Sequence, residues 1–178
     1  SKIQGRFKTK LTLASSDVKE VIQKRLLAKK EAEPAALTAI YDAEKENMKT
    51  IFTFGDKVEF TTWRGSDEFC NLYPFHSYQF DLFQLALKEL SDHDAFTGRF
   101  HSVGERSMLS VFQDVAKVVM ADDVGRLATF DQMFDGVKPS IRAELHLMID
   151  QASKMYGKGL EPRILKALFL LKWVAQFK

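Results

Sequence analysis

Residues 71–113 read NLYPFHSYQFDLFQLALKELSDHDAFTGRFHSVGERSMLSVFQ, and this segment predicts two apolar helices joined by a polar connection that contains glycine. The first helix follows Pro74, and its large apolar residues recur at helical spacing, so we expect it to be buried. These residues are Phe80, Phe83, Leu87 and Leu90. We expect the rest of the chain to be organised around this helical pair.

The second helix begins near the pattern S-x-x-E, formed by Ser102 and Glu105. In such a capping box the serine is the N-cap residue, which places Arg106 in the first helical turn. A cation there is disfavoured by a few tenths of a kcal/mol, because it lies at the positive end of the helix dipole. Arg106 therefore marks a candidate anion site; the alternative is a surface arginine paired with Glu105 or Asp81. The apolar face of this helix is expected to contain Met108, Phe112, Val115 and Val119.

Composition indicates an ordinary globular chain. It has 178 residues, of which 46% are hydrophobic and 28% charged, and a formal net charge of +2. That charge is too small to argue for nucleic acid or an acidic membrane as partner. The single cysteine, Cys70, excludes an internal disulfide and favours a reducing compartment, so we expect a cytoplasmic location. The chain lacks an initial methionine and stops within an apolar helical pattern, which we interpret as a piece of a larger protein.

The N-terminal part predicts two short strands and two helices. Alternating residues at 9–13 and 57–63 are typical of half-exposed strands. An amphipathic helix is expected from Asp17 to about Lys30, and a second from Pro34 to just before Gly55. Gly65 and Ser66 are expected to break the pattern.

The C-terminal part predicts a polar linker and two further helices. The linker is expected at residues 122–136, with a short helical or turn-like segment around residues 127–134. A helix from Pro139 to Gly157 is expected to share one face among Ile141, Leu145, Met148 and Ala152. The last helix begins at Pro162 and is apolar on almost all sides, so we expect it to lie in a core, part of which belongs to a missing segment.

Motifs for self-contained chemistry are absent from the sequence. It has no G-x-x-x-x-G-K-[ST] phosphate loop and no H-E-x-x-H metal motif, and its four histidines are scattered singly. Residues 92–94, Asp-His-Asp, could bind a metal but fit a solvated helix end better. Cys70 fits a buried structural thiol better than a nucleophile. We therefore expect no metal site and no enzyme activity in this chain alone.

Four segments resemble the BrxC family of large ATPases from BREX phage-defence systems and its PglY relatives. They are NLYPF with the following Y-x-F-x-L-x-Q helix, SVGERSMLSVFQ, the opening QGRFxTxLxLxSSDVxxVIxxRLL, and the closing RILKALFLLKWV. The resemblance is spread over nearly the whole chain, and the segment GERSMLxxFQ is its most specific part. One departure is Ser77, where the family pattern has proline.

The resemblance implies an architecture similar to that of AAA+ ATPases, in which a helical lid follows the nucleotide-binding core. Residues 1–14 would be the end of the ATPase core, as a strand. Residues 15–136 would form a helical lid-like domain. Residues 137–178 would be a linker helix and the start of a C-terminal helical or winged-helix domain. The expected fold class is therefore mainly α, a helical bundle with minor strand content.

The resemblance also implies a nucleotide site. Gly104, Glu105 and Arg106 are similar to a sensor-2 motif, in which the arginine reaches the γ-phosphate of ATP. Ser102 and the N–H groups of the helix N-terminus would bind the same anion. Arg6 would be an arginine finger for a neighbouring subunit, the alternative being a solvated arginine at a strand edge. ATP and magnesium would be bound by the parent protein and not by this chain alone.

Two functions from different classes follow. The first is a fragment of a BREX-type AAA+ ATPase in anti-phage defence, whose lid senses nucleotide state and couples it to DNA or partner proteins. Its expected partners are other BREX proteins, further copies of itself and DNA through the parent complex, with no membrane. The second is a helical protein-interaction module without a nucleotide role, in which the apolar helices from Pro74 and Pro162 dock other chains.

Overall fold

The computed structural model describes residues 15–30, 33–55, 58, 60–97 and 105–177, and eight α-helices lie within these ranges. The first four are α1 (Ser15–Arg25), α2 (Glu33–Ile51), α3 (Ser66–Leu72) and α4 (Ser77–Asp92). The other four are α5 (Glu105–Val119), α6 (Phe130–Val137), α7 (Ala143–Tyr156) and α8 (Leu160–Leu171). The mainly helical fold is thus confirmed, whereas the likeness to an AAA+ lid stays a prediction.

The core is built around aromatic rings from α4 and α5. Phe112 of α5 is fully buried and stacks on Phe80 of α4, with 4.5 Å between the ring centroids. The rings of Phe75 and Phe83 lie 4.7 Å and 6.0 Å from the same ring. The spacing of the apolar residues therefore predicts correctly which faces of these two helices meet.

Helix α6 connects this centre to α8. It packs against both α5 and α8, and Phe134 meets Phe169 edge to face at 5.4 Å. Gly136 lets α5 approach closely, because a Cβ atom there would lie 2.9 Å from both methyl groups of Val111. The residues before α6 are tied to α4: Ala128 is buried, and its N–H donates to the Pro74 carbonyl at 2.9 Å.

The prediction of a strand at residues 57–63 is wrong, because the described residues in this range, 58 and 60–63, are irregular. An extended segment becomes a strand only beside a hydrogen-bonding neighbour, and the described part of the chain pairs strand-like residues only at Phe96 and Ile141. The segment is held by side chains instead. Trp63 is buried and its indole N–H donates to the Phe75 carbonyl at 3.1 Å. The strand expected at 9–13 lies outside the described residues.

Helix α3 is absent from the prediction, and the end of α1 differs from it. Gly65 is the N-cap of α3, whose seven residues are too few to show helical periodicity; the sequence predicts only that residues 65 and 66 end the alternating pattern before them. Helix α1 ends at Arg25 and not near Lys30. The Lys29 ammonium donates to the Leu27 and Tyr73 carbonyls at 2.6 Å and 2.9 Å, so this lysine stabilises a turn beyond the helix.

Helix α8 reaches the described core through one face only, so its expected burial on the other sides stays a prediction. Leu170 and the following Val174 are buried in the same core as α4 and α5. Leu160, Ile164 and Leu168 on the other face are exposed. Helices α7 and α8 each contact this core through a single face. The predicted domain boundary at residue 136 stays a prediction. No helix in the described ranges is long and apolar enough to cross a membrane.

Substitution of Phe112 by alanine tests the central role of its ring. We expect Phe112→Ala to lower the free energy of unfolding by about 3–5 kcal/mol, because it removes a fully buried ring and leaves a cavity. Val118→Ala on the same helix is the control, since that side chain is 58% exposed and should change stability by less than about 0.5 kcal/mol. Urea unfolding followed by circular dichroism measures both. Equal losses would contradict the assignment of the core.

Candidate functional site

The N-terminus of α5 is where the sequence predicts an anion site. Helix α5 is described from Glu105 onwards, and Arg106 is its second described residue. Ser102 and Gly104 lie outside the described residues, and so do Arg6 and the side chain of Arg106. The sensor-2 and arginine-finger assignments therefore stay predictions.

The residues considered for metal binding or nucleophilic chemistry have structural partners. Within the described ranges, no group of three His, Cys, Asp or Glu residues could hold a metal ion. His93 is the C-cap of α4, Asp92 accepts a hydrogen bond from Lys88 at 3.0 Å, and Asp94 pairs with Arg142. These contacts describe a solvated helix end.

Cys70 is buried between α2 and α3. Its sulfur lies 3.5 Å from the hydroxyl oxygen of Thr38 and 3.7 Å from the Pro34 carbonyl oxygen, to which the thiol donates. Both partners belong to α2, so the thiol helps to hold α3 against that helix. The sequence-based interpretation of a buried structural cysteine agrees with this position.

A polar network connects α1, α3 and the start of α4. The Lys19 ammonium donates to Glu68 Oε1 at 3.2 Å and to Ser77 Oγ at 3.0 Å, and the Ser77 hydroxyl donates to the same carboxylate at 2.8 Å. The Arg64 N–H donates to the other oxygen, Glu68 Oε2, at 2.8 Å. Burial opposes ionisation of Glu68, but these hydrogen bonds outweigh it and lower the pKa of the carboxyl group.

This network resembles a serine–lysine pair but lacks its chemistry. A nucleophilic serine must give its proton to a neutral base. Ser77 instead donates to the Glu68 carboxylate, and the Lys19 ammonium donates to both Glu68 and Ser77, so neither group accepts a proton from the hydroxyl as a neutral base would. The network therefore holds three helices together and does not activate the hydroxyl group.

His76 is a buried histidine in an aromatic cage. It is only 3% exposed, its ring stacks on Trp63 at 4.3 Å, and Phe52 approaches it edge to face at 4.1 Å. Its Nδ1 atom is buried and has no hydrogen-bond partner among the residues that the structure describes. Burial lowers the pKa of His76 to about 4, so the ring is neutral at pH 7. Sequence reasoning missed this role; a histidine directly before a buried apolar helix is the signal that could have indicated it.

Helices α7 and α8 expose apolar side chains on their outer surface. The two helices pack against each other and are joined by residues 157–159, as in an antiparallel helical hairpin. We call six of their exposed apolar residues the hairpin face; Tyr156 and Leu165, which are 52% and 37% exposed, point to other sides of the two helices. The hairpin face consists of Leu147, Met148, Met155, Leu160, Ile164 and Leu168, which are 47% to 77% exposed.

The periodicity of each helix shows why these residues form a face. At about 100° per residue, Leu147, Met148 and Met155 point within roughly 60° of Gln151 on α7. The α8 residues repeat every four positions and so also share one side. Met148 was expected on the buried face of α7, but it is 77% exposed, and Ile149 is buried in its place. Ile141 and Ala152 of the predicted face are buried, so only Met148, at the edge of that face, departs from the prediction.

Known proteins give no further assignment. No protein-family model matches this chain, and no solved structure matches it. The resemblance to BREX ATPases therefore stays a prediction, and the functional candidates are the α5 N-terminus and the hairpin face.

The pH dependence of stability tests the buried state of His76. A histidine in the unfolded chain has a pKa near 6.5, whereas the folded value is about 4. The unfolded state therefore binds more protons between these values, so the stabilisation is complete above about pH 6.5 and is lost as the pH falls towards 4. We expect this loss to reach at most about 3 kcal/mol. Urea unfolding at several pH values measures it.

His76→Phe should remove this part of the pH dependence, because phenylalanine keeps the ring stack but cannot bind a proton. His93→Phe is the matched control, since His93 is exposed and stacks on Trp173 at 5.0 Å. Parallel profiles for the wild type and His76→Phe would show that His76 is not the group responsible.

Proposed function

We propose that this chain is a helical protein-interaction module, with the hairpin face as its docking surface. The observation that carries this proposal is the exposure of six large apolar side chains on two adjacent helices. Single exposed apolar residues are common, but a group on one surface is typical of an interaction site. We do not propose docking through the helix after Pro74, also considered from the sequence, because its apolar residues Phe80, Phe83 and Leu87 are buried.

Burial of the hairpin face would supply the free energy of association. Complete burial of a leucine or methionine side chain is worth about 1.5–3 kcal/mol, and these side chains are roughly half exposed, so each would contribute about half of that. Association consumes several kcal/mol of the total through lost translational and rotational freedom. The surface therefore fits a reversible protein partner, and we propose a cytoplasmic location because Cys70 is a free thiol.

The second candidate is the lid of a BREX-type AAA+ ATPase that acts in phage defence. It is supported by the position of Arg106 near the start of the described part of α5 and by the sequence resemblance. In this proposal, ATP and magnesium are bound by the ATPase core of a parent protein. Arg106 meets the γ-phosphate together with Ser102 and Gly104, Arg6 serves a neighbouring subunit, and hydrolysis changes the lid position. DNA and other BREX proteins are then partners of the parent complex.

Site-specific photo-crosslinking tests the interaction module. We expect p-benzoylphenylalanine in place of Met148 to cross-link to one defined protein chain, because this position is 77% exposed at the proposed docking surface. The same probe in place of Ile51, which is 69% exposed on α2, is the control. Mass spectrometry identifies the product. Failure to cross-link from position 148, or equal yields from both positions, would contradict the proposal.

ATP hydrolysis by the parent-length protein tests the lid proposal. We expect Arg106→Ala to reduce turnover by about a hundredfold with ATP binding kept, because the arginine would stabilise charge on the transferred phosphoryl group. Lys117→Ala is the control, an exposed cation on the same helix. Unchanged turnover in Arg106→Ala would remove the sensor assignment and leave the interaction module.

A further inference from the structure

We infer that the partner of the hairpin face is a second copy of this chain. This inference rests on the proposed docking function and adds the identity of the partner. Two copies pack face to face about a two-fold axis, so that α7 lies antiparallel to α7 of the other copy and α8 antiparallel to its own counterpart. Such a pairing requires each helix to be complementary to itself when reversed.

Charge satisfies this requirement on α7. Glu144 lies seven residues before Gln151, and Lys158 lies seven residues after it, in the turn beyond the helix. An antiparallel pairing centred on Gln151 therefore places each Glu144 opposite a Lys158 of the other copy. None of Glu144, Lys154 and Lys158 has an ion pair in the described part of the chain, so these charges are available to a partner.

The apolar residues of α7 satisfy the same symmetry. Leu147 and Met155 lie four residues on either side of Gln151 and would meet across the axis. Met148 and Lys154 lie three residues on either side of Gln151, at roughly 60° to its two sides, so the two Met148 side chains flank one edge of the pairing and the two Lys154 side chains flank the other, where a lysine stem can cover apolar surface while its charge stays in water. The central residue, Gln151, is exposed, and its side-chain amide can hydrogen-bond to the amide of Gln151 in the other copy.

Helix α8 repeats the pattern independently. Ile164 and Leu168 are equally distant from the level of Lys166 and would meet each other across the axis. Glu161 in the first turn and Lys172 after the last turn have opposite charge at opposite ends of the helix. The Lys166 side chain points elsewhere, since it is 19% exposed and pairs with Asp135 at 2.8 Å.

One axis serves both helices. Lys158 is the middle residue of the turn. Gln151 lies seven residues before Lys158, and Lys166 lies eight residues after it. At 1.5 Å per residue the two centres lie about 11 Å and about 12 Å from the turn, which is the same level in an antiparallel hairpin. The self-complementary centres of α7 and α8 therefore coincide, although nothing in the packing of either helix against the core requires it.

The same features disfavour other partners. A membrane surface or nucleic acid would attract a face rimmed by basic residues. The rim of the hairpin face contains the acidic residues Glu144 and Glu161 as well as lysines. The face measures roughly 20 Å by 20 Å, about half of a standard protein interface, so we expect a weak and reversible dimer.

Sedimentation equilibrium of the chain, from about 5 to about 300 µM, tests the inference. We expect the wild type to show a monomer–dimer equilibrium. Ile164→Glu should abolish the dimer while keeping the circular dichroism spectrum and the thermal unfolding of the wild type. Ile51→Glu, at an exposed site on α2, should leave the equilibrium unchanged. Glu144→Lys should weaken the dimer about tenfold, because it places lysines opposite lysines. The compensated variant Glu144→Lys with Lys158→Glu should return to within about twofold of the wild type.

A wild type that stays monomeric throughout this range, or a dimer unaffected by Ile164→Glu, would overturn the inference. If the wild type is monomeric and the probe at position 148 cross-links to a different protein, the docking function stands and the second copy is excluded. If no chain is cross-linked, both proposals fail. A monomer that binds anionic phosphatidylserine vesicles, and loses that binding in Ile164→Glu, would assign the face to a membrane and overturn the inference.

Discussion

The buried N-terminus of α4 is the constraint on which the rest of the structure depends. Backbone N–H groups at the start of a helix have no partner within the helix, so a buried start must find partners elsewhere. The His76 N–H donates to Gln79 Oε1 at 3.0 Å, and the Gln79 amide donates to the Ala128 carbonyl at 2.9 Å. Ser77 and Glu68 continue the network to Lys19 of α1. Three helices and the segment before α6 are thereby fixed around one helix end.

This arrangement determines which surfaces remain open. With α4 fixed, its aromatic face meets Phe112 of α5, and α6 and α8 close the other side of that pair. Helix α8 is held there by Leu170 and by the ion pair of Arg163 with Asp131 of α6 at 3.2 Å. One face of α8 makes these contacts, and the other face is exposed. An all-round apolar helix at the edge of a core must therefore expose apolar surface, which is how the hairpin face arises.

Periodicity predicts α4 and α5 well because their apolar faces are wide and fully buried. It fails where a tertiary contact replaces a local rule. Residues 57–63 alternate like a strand, but the described ones are held by Trp63 and have no neighbouring strand. A helix of seven residues, α3, gives no periodic signal. Of the candidate sites, the sequence places Arg106 in a first helical turn, but it cannot show that α8 is only half covered, because that depends on where α6 and α7 pack.

The two parts of the hairpin surface have different physical roles. Leu147, Met155 and Ile164 supply apolar area, which favours any partner of matching shape and so gives affinity without selectivity. Charges at the rim add little affinity, but like charges placed opposite each other penalise wrong partners and wrong registers. Glu144 and Lys158 lie at equal distances from Gln151, so the reversed copy avoids this penalty, and a helix packed parallel to α7 in the same register would place Glu144 opposite Glu144. Selectivity for a second copy is thus a consequence of symmetry.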